Sequence, residues 1–490
     1  MRESIGLNYE LLIPEYILGA VALLIVFIDT FLPKTDKRVL PLFTGLGLIA
    51  AFLVSLTYID SGGGDNDNFA GLIYIDDYTT FFRCFFIATT FGIVVMSYQF
   101  VEKNLRNPGE YYALLTLSTV GAIYMAAARE LLTAYISLEL LSFSLYILVS
   151  YQKNDPRSNE GGLKYMLLGA FASALLLYGI SFIYGTAGST SYDEISLAFA
   201  NGTEGFTLGT LAGLTLVVAG LGFKVAAVPF HMWTPDAYEG APLPITAYLS
   251  ATSKAAGFAL LLRLFSSALL PVIDDWRFML AAMAAMTMVL GNMVALQQHN
   301  IKRLLAYSSI GQVGYMLMGI TAISQDVSSA LLLHMTGYVI TNVAAFTAII
   351  AYNNATGAEE IRDFRGMSER APLLSAVLAV ALFSLAGMPL FAGFLTKFIL
   401  FQSVADNDFY WLAGVAVVTS LISLYYYLQV LREMYVSEPP ESFQREGRFE
   451  VPAPMQGMVI ALTAGVFFVG LYPAPLFDVT DKVARVLFSA

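Results

Sequence analysis

Basic side chains interrupt five stretches of this sequence that are otherwise apolar. They are Arg83, Lys164, Lys224, Lys254 and Lys397. Left facing lipid, each would cost about 2.5–3.5 kcal/mol at a helix centre, so these side chains must face protein or water. Because a lysine can bind and release a proton, a row of buried lysines indicates proton transfer.

One acid complements these cations. Glu139 is the only charge in "LLTAYISLELLSFSLYILVSYQ". Burial weakens the hold of an ammonium group on its proton, and a nearby carboxylate restores it, so a variable carboxylate–lysine distance would act as a switch. We therefore predict that Glu139, Lys224, Lys254 and Lys397 form a lateral chain joined by water, driven by changes in the Glu139–Lys224 distance.

Each of these groups also has a structural alternative, as a paired or snorkelling charge. Lys164 lies near the start of its apolar run and could reach the cytoplasmic interface. Arg83 follows Asp76 and Asp77 closely, which favours a structural anchor. His334, in "SSALLLHMTGYVITN", is a candidate relay, with a hydrogen-bonded core histidine as the alternative.

The composition places the chain in a bilayer. Of its 490 residues, 57% are hydrophobic and 13% are charged, and apolar runs of about 20 residues, enough to cross a membrane, recur along it. The single cysteine, Cys84, excludes an internal disulfide and a cysteine-ligated iron–sulfur cluster within the chain. No nucleotide-binding glycine motif is present. The net charge of −11 gives no indication of nucleic acid.

Hydropathy predicts an all-α membrane protein with about fourteen transmembrane helices. The predicted segments are 11–32, 39–58, 78–101, 111–128, 131–151, 161–185, 207–232, 243–265, 278–298, 303–323, 327–352, 372–403, 410–431 and 455–476. Fifteen Lys and Arg residues, Arg445 and Arg448 among them, fall in loops after odd-numbered segments. Three, Arg129, Arg263 and Arg277, fall in loops after even-numbered ones. Cytoplasmic loops hold the excess of basic residues, so both termini should face away from the cytoplasm.

Two predicted segments are too long for a single regular helix. Pro229 interrupts the seventh and Pro389, flanked by glycines, interrupts the twelfth. Broken helices at membrane depth occur where they line a polar cavity, and a corresponding pair indicates inverted repeats. We predict two inverted five-helix repeats, formed by segments 4–8 and 9–13. The whole chain is then one polytopic domain, with three helices in 1–110, repeats in 111–265 and 278–436, and a last helix in 455–490.

Several stretches together resemble subunit N of the proton-pumping NADH:quinone oxidoreductase, respiratory complex I. They are "LELLSFSLYILVSY", "GFKVAAVPFHMWTPDAYEGAPLPITAYLSATSKAAGFALLLR", "NIKRLLAYSSIGQVGYML" and "GMPLFAGFLTKF". The similarity extends from about residue 10 to 435. Where many members resemble "SSIAHAGY", this chain reads "SSIGQVGY", so Gln312 replaces a titratable histidine.

The resemblance implies an antiporter-like, proton-translocating subunit in the membrane arm, in the bacterial plasma membrane. It identifies Glu139 as the carboxylate of the fifth helix, Lys224 as its partner and Lys254 as the bridging lysine. Lys397 is the lysine of the twelfth helix, where subunit M has a glutamate, and Lys164 also matches a family lysine. Quinone, NADH, FMN and iron–sulfur clusters are then expected on other subunits, and subunits M, K and J as partners.

Two other functions fit the same pattern. The D-type subunit of a multisubunit Na+/H+ antiporter shares the Glu and Lys residues, although "HMWTPDAYEGAP" and the N-terminal helix favour the oxidoreductase. A purely structural membrane scaffold is the third possibility. Copurification with flavin and iron–sulfur subunits, or with antiporter subunits, separates the first two.

Overall fold

The computed structural model describes residues 9–59, 69, 71–201, 208–439 and 451–488, and within these ranges the regular structure is helical, with no β-strand. Three isolated backbone bridges, Ile73–Ala128, Glu130–Ser191 and Asn300–Glu360, tie neighbouring loops together. The predicted loop residues Arg445 and Arg448 lie outside the described residues. The all-α fold class is confirmed.

Twenty α-helices are described. The N-terminal ones are α1 (Ile13–Phe31), α2 (Leu40–Leu56) and α3 (Asp77–Asn104). Next come α4 (Pro108–Ala127), α5 (Leu131–Val149), α6 (Pro156–Ala187), α7 (Tyr192–Ala200), α8 (Leu208–Val225), α9 (Trp233–Gly240), α10 (Leu243–Tyr248) and α11 (Lys254–Ser267). They are followed by α12 (Ile273–Ala295), α13 (Ile301–Thr321), α14 (Gln325–Thr356), α15 (Met367–Arg370), α16 (Pro372–Ala386), α17 (Ala392–Asp406) and α18 (Tyr410–Tyr435). The last are α19 (Ala453–Leu471) and α20 (Ala474–Val486).

Each of the fourteen predicted segments coincides with a helix or with a pair of shorter helices. In the described part of the chain, eleven helices are long and apolar enough to cross a membrane. The other predicted segments correspond to α4, α13 and the shorter pair α16 and α17. The number of crossings therefore stays a prediction, as do the repeat boundaries. The hydropathy pattern did not predict α7, α9, α15 or α20.

Both predicted helix breaks are present. In the seventh segment α8 ends at Val225, before Pro229, and α9 begins at Trp233, just after the segment. In the twelfth, α16 ends at Ala386 and α17 begins at Ala392, with Gly387 at φ +84° between them. A positive φ is readily adopted by glycine because it has no Cβ, so Gly387 turns the chain out of α16.

Two buried ion pairs hold the helices together at the end where α1 and α3 begin. Arg83 Nε donates to Glu15 Oε1 at 2.7 Å, and both side chains are buried. Arg263, on α11, instead binds Asp76 with two hydrogen bonds of 2.5 and 2.9 Å. Arg83 thus pairs with α1 and not with the two acids that precede it, and Arg263 is a buried helix residue, which corrects its assignment to a loop.

We predict that Glu15→Ala destabilises the protein strongly. It would leave the buried Arg83 guanidinium without its carboxylate, and removing one partner of a buried ion pair typically costs about 3–5 kcal/mol. The measurement is thermal unfolding of the detergent-purified complex. Arg38→Ala is the matched control, because Arg38 pairs with Glu102 of the same helix α3 at the exposed surface. Equal losses in the two variants would contradict the prediction.

Candidate functional site, a buried row of lysines

Three of the predicted site lysines are buried inside the helix bundle. The exposed fractions of Lys224, Lys254 and Lys397 are 2%, 1% and 4%. None of them has a carboxylate oxygen within 4.0 Å in the described residues; their hydrogen-bond partners are hydroxyl and carbonyl oxygens. Buried ammonium groups without an acid partner are costly, and in membrane proteins such groups usually serve function.

Glu139 and Lys224 lie against the same part of α5 without touching. Lys224 Nζ donates to Ser142 Oγ at 3.0 Å, and Ser142 follows Glu139 by about one helical turn. Ser173 of α6 donates a hydrogen bond to Glu139 Oε1. The structure therefore holds the pair apart, each group bonded to its own serine.

The break after α8 is held by contacts to a neighbouring helix. Ala226, the residue after α8, has φ +65°, an unusual value for a residue with a Cβ. The N–H of Val228 donates to Thr287 Oγ1 of α12 at 2.9 Å, and the Val228–Pro229 peptide bond is cis. The backbone at the end of α8 is thus satisfied by tertiary contacts, as irregular backbone inside a membrane protein must be.

Lys254 occupies the centre of the row. Its Nζ donates to Ser309 Oγ of α13 at 2.5 Å and lies 5.5 Å from the ring centroid of Tyr238. The side chain of Lys224 packs against Gly257, where an added Cβ would lie 3.5 Å from Lys224 Cγ. Since Gly257 is about one turn after Lys254, the two lysines approach the same part of α11.

The segment just before Lys254 departs from α-helical geometry. Residues Leu249–Ser253 form a π-helical turn between α10 and α11, a feature that often marks a functional site. Tyr338 of α14 donates to the Ser250 carbonyl at 3.2 Å, and Asn342 Nδ2 donates to Ser250 Oγ at 2.7 Å. Tyr338 and Asn342 therefore support the turn from which Lys254 projects.

Lys397 binds the open end of a broken helix. Its Nζ donates to the Leu385 carbonyl at 2.7 Å and to Ser420 Oγ at 3.2 Å, and it lies 5.1 Å from the ring centroid of Tyr315. The last carbonyls of a helix lack intrahelical partners and carry partial negative charge. The turn at Gly387 leaves the last carbonyls of α16 uncovered, and their partial negative charge thus stabilises this ammonium.

Helix α13 connects the central lysine to the terminal one. Gln312 Nε2 donates to the Leu385 carbonyl at 3.4 Å, the same oxygen that Lys397 binds. Ser309, which binds Lys254, lies one turn earlier on α13. Ser309 and Gln312, which do not titrate, therefore contact Lys254 and the carbonyl that binds Lys397 from neighbouring turns of one helix.

His334 lies beside Lys397. Its Nδ1 is 3.1 Å from Oγ1 of Thr396, the residue before Lys397, and its Nε2 is buried.

Lys164, by contrast, lies outside the buried row. Its half-exposed side chain bonds to Glu160 and Asp236, each at 2.7 Å. The structure thus brings together Glu139, the three buried lysines and His334, but not Lys164.

Buried polar atoms without a hydrogen-bond partner in the described chain lie along the row. They include the hydroxyls of Tyr238, Thr252 and Ser253, together with Gln312 Oε1 and His334 Nε2. Buried polar groups in native proteins are normally bonded, often to water. These atoms can therefore bond to water between Lys224 and Lys397.

Sequence reasoning missed the serines that bind the site. Ser142, Ser173, Ser309 and Ser420 each touch a charged group, from four different helices. Only Ser142 had a signal in the sequence, because it lies about one turn from Glu139. In the described ranges no three His, Cys, Asp or Glu side chains form a group that could hold a metal ion.

Known proteins share this arrangement of helices. The family described as NADH:quinone oxidoreductase/Mrp antiporter, TM, matches residues 128–423. A solved chain of the Mrp complex from Dietzia sp. aligns with a TM-score of 0.85 over 98% of this chain and 97% of that one, at 18% identity. At that identity the likeness shows the fold alone.

Relatives with higher sequence identity show which group of subunits within the family this chain belongs to. A chain of respiratory complex I from Thermus thermophilus, with bound aureothin, is 29% identical, with a TM-score of 0.78 over 95% of this chain and 99% of that one. NADH-quinone oxidoreductase subunit N of Moorella thermoacetica is 41% identical over 481 residues, which cover 98% of this chain and 99% of that protein. The chain therefore belongs to the NADH:quinone oxidoreductase/Mrp antiporter family, in its group of NADH-quinone oxidoreductase N subunits.

Proposed function

We propose that this chain translocates protons across a bacterial plasma membrane as the N subunit of an NADH:quinone oxidoreductase. The proton path consists of Glu139, Lys224, Lys254 and Lys397, with water between them. One observation carries the proposal: within the described residues, three buried ammonium groups have no carboxylate partner and bond instead to hydroxyl and carbonyl oxygens. In this role the chain is a non-redox subunit of the translocating enzyme.

The Glu139–Lys224 pair is the variable element of the path. Coulomb attraction falls with distance, so a change in the separation of carboxylate and ammonium changes how strongly Lys224 holds its proton. Ser142 and Ser173 hold the two groups apart in the structure. If Lys224 leaves Ser142 for Glu139, the proton affinity at this end of the row changes.

Protons then pass along α13 towards Lys397. Ser309 contacts Lys254, and Gln312 contacts the carbonyl that binds Lys397. A proton that passes from Lys254 to Lys397 therefore moves through the Ser309 hydroxyl and water. Gln312 cannot replace a histidine as a titrating relay, but its free Oε1 can orient water. His334 is a second relay candidate next to Lys397. Lys164 stays a prediction made by resemblance, outside the row.

Coupling to redox chemistry takes place at a distance. NADH, FMN, iron–sulfur clusters and quinone would bind other subunits, and the membrane neighbours would be the antiporter-like subunit M and small subunits such as K and J. The excess of Lys and Arg in alternate loops supports an orientation with both termini outside the cytoplasm.

The alternative is a D-type subunit of a multisubunit Na+/H+ antiporter. The Mrp structure supports it only at the level of the fold, whereas 41% identity to a subunit N supports the oxidoreductase. Affinity purification from native membranes separates the two. Copurified flavin and iron–sulfur subunits would support the proposal, and copurified antiporter subunits without them would overturn it.

We predict that Lys224→Ala and Lys254→Met each reduce the number of protons pumped per electron to near background, while the complex still assembles. Each variant removes a proton-binding group from the row. Proton uptake is measured in sealed vesicles during NADH oxidation. Lys103→Met is the control, since Lys103 is an exposed lysine whose Nζ also bonds to a carbonyl, that of Asn354, at 3.0 Å.

Unchanged pumping in Lys224→Ala would refute the proposed path. A lysine variant that disturbs assembly, but pumps normally once assembled, would instead identify the chain as a structural scaffold.

We also predict that Ser309→Ala lowers the pumping rate several-fold without loss of assembly. It removes the hydroxyl that accepts the hydrogen bond of Lys254 and leaves the lysine in place. Thr321→Val is the matched control, because Thr321 is a buried hydroxyl on the same helix that bonds to the Leu317 carbonyl. A Ser309→Ala variant as active as Thr321→Val would show that this hydroxyl carries no proton.

A further inference from the structure

A guanidinium at the start of α13 binds two acids of the short helix α9. Arg303 Nη1 donates to Asp236 Oδ1 at 2.9 Å and to Glu239 Oε2 at 2.8 Å. These acids lie beyond the break in the seventh predicted segment, and Arg303 belongs to the tenth. The contact therefore joins the two halves of the protein that are predicted to be repeats.

The opposite side of α9 is packed tightly against α6. Lys164 donates to Asp236 Oδ2 at 2.7 Å. A Cβ added at Gly161 would lie 2.7 Å from the Asp236 carbonyl oxygen, so only glycine allows this approach. Burial opposes the charge of Asp236, but the hydrogen bonds from Lys164 and Arg303 hold the pKa of its carboxyl below the usual value. Asp236 is thus ionised at neutral pH and held from two helices.

The other end of α9 contacts the helix that carries Lys224. Trp233, the first residue of α9, donates from its indole Nε1 to the Phe223 carbonyl at 3.0 Å and stacks on Tyr165 at 4.3 Å between ring centroids. Phe223 immediately precedes Lys224. A continuous set of contacts therefore leads from Arg303 through α9 to the backbone beside Lys224.

We infer that Arg303 is a positioning residue for Lys224, which acts by fixing α9 and thereby the end of α8. This inference rests on the proposed proton path and adds a link between its two halves. Because α13 also carries Ser309 and Gln312, a shift of α13 moves the partners of Lys254 and Lys397 together with α9. A change in the position of Lys224 relative to Glu139 is then coupled mechanically to a change in the contacts of Lys397.

The test compares Arg303→Met, Arg303→Lys and the control Lys302→Met in the assembled complex. Lys302 neighbours Arg303 but pairs with Glu359 at 2.9 Å, and neither residue belongs to α9. Glu359 also lies 3.8 Å from Arg157, which is 4.0 Å from Glu239, so Lys302→Met changes the same charge cluster without removing a direct contact to α9. The pH profile of protons pumped per electron is measured in sealed vesicles, together with the rate of NADH oxidation. A residue needed only for folding would change the amount of complex and leave the shape of that profile alone.

For Arg303→Met we expect an about fivefold loss of protons per electron, at the lower end of typical coupling between sites, and a displaced pH profile. Arg303→Lys should recover part of both, since an ammonium can still bind the two acids, and Lys302→Met should match the wild type. A normal profile in Arg303→Met, or an equal displacement in Lys302→Met, overturns the inference.

Two further measurements keep the outcome clear. If Arg303→Met fails to assemble, Glu239→Gln decides, because it removes one acid that binds Arg303 and keeps the Lys164–Asp236 pair. Arg157→Met is its control, since Glu239→Gln also removes the 4.0 Å contact between Glu239 and Arg157. A displaced profile in Glu239→Gln supports the inference, and an unchanged one overturns it. Normal pumping in Lys224→Ala would refute the proposed path itself, whereas loss of pumping in Lys224→Ala with a normal Arg303→Met refutes only the role of Arg303.

Discussion

An ammonium group buried in a bilayer protein must be bonded, and the rest of this structure follows from how that demand is met. The three lysines of the row bind neutral oxygens, Ser142, Ser309 and the Leu385 carbonyl with Ser420. A carboxylate beside each lysine would stabilise the protonated form strongly and oppose release of the proton. Hydroxyl and carbonyl oxygens stabilise the ammonium less strongly and leave its proton exchangeable. The break after α16 frees the Leu385 carbonyl for Lys397, and the π-helical turn immediately precedes Lys254.

Helix α13 contacts α9, two lysines of the row and the end of α16. Along one helix it presents Arg303 to α9, Ser309 to Lys254, Gln312 to the end of α16 and Tyr315 to Lys397. These polar groups lower its apolarity, which explains why α13 is not among the eleven helices apolar enough to be recognised as membrane spans in the described chain. A helix surrounded by others does not need a lipid-facing surface, so it can carry hydrogen-bonding groups on several sides.

The sequence predicts the charges and the breaks because both contrast with their surroundings. Lys224, Lys254 and Lys397 stand out in apolar runs, and Pro229 and Pro389 interrupt segments that are too long. The partners could not be predicted, because they come from other helices. Arg83 pairs with Glu15, 68 residues away, and not with the acids close to it in sequence. Ser309 is one of many serines until the fold brings it to Lys254.

Neutral partners also leave the proposed switch at Glu139 without a competing acid. Lys224 and Lys254 approach the same part of α11, since the Lys224 side chain packs against Gly257, about one turn after Lys254. In the described chain neither ammonium has a carboxylate oxygen within 4.0 Å, and each bonds to a serine hydroxyl instead. The attraction between Glu139 and Lys224 depends on the distance between the two groups. A movement of either group would therefore change an interaction that no nearer carboxylate masks in the described residues.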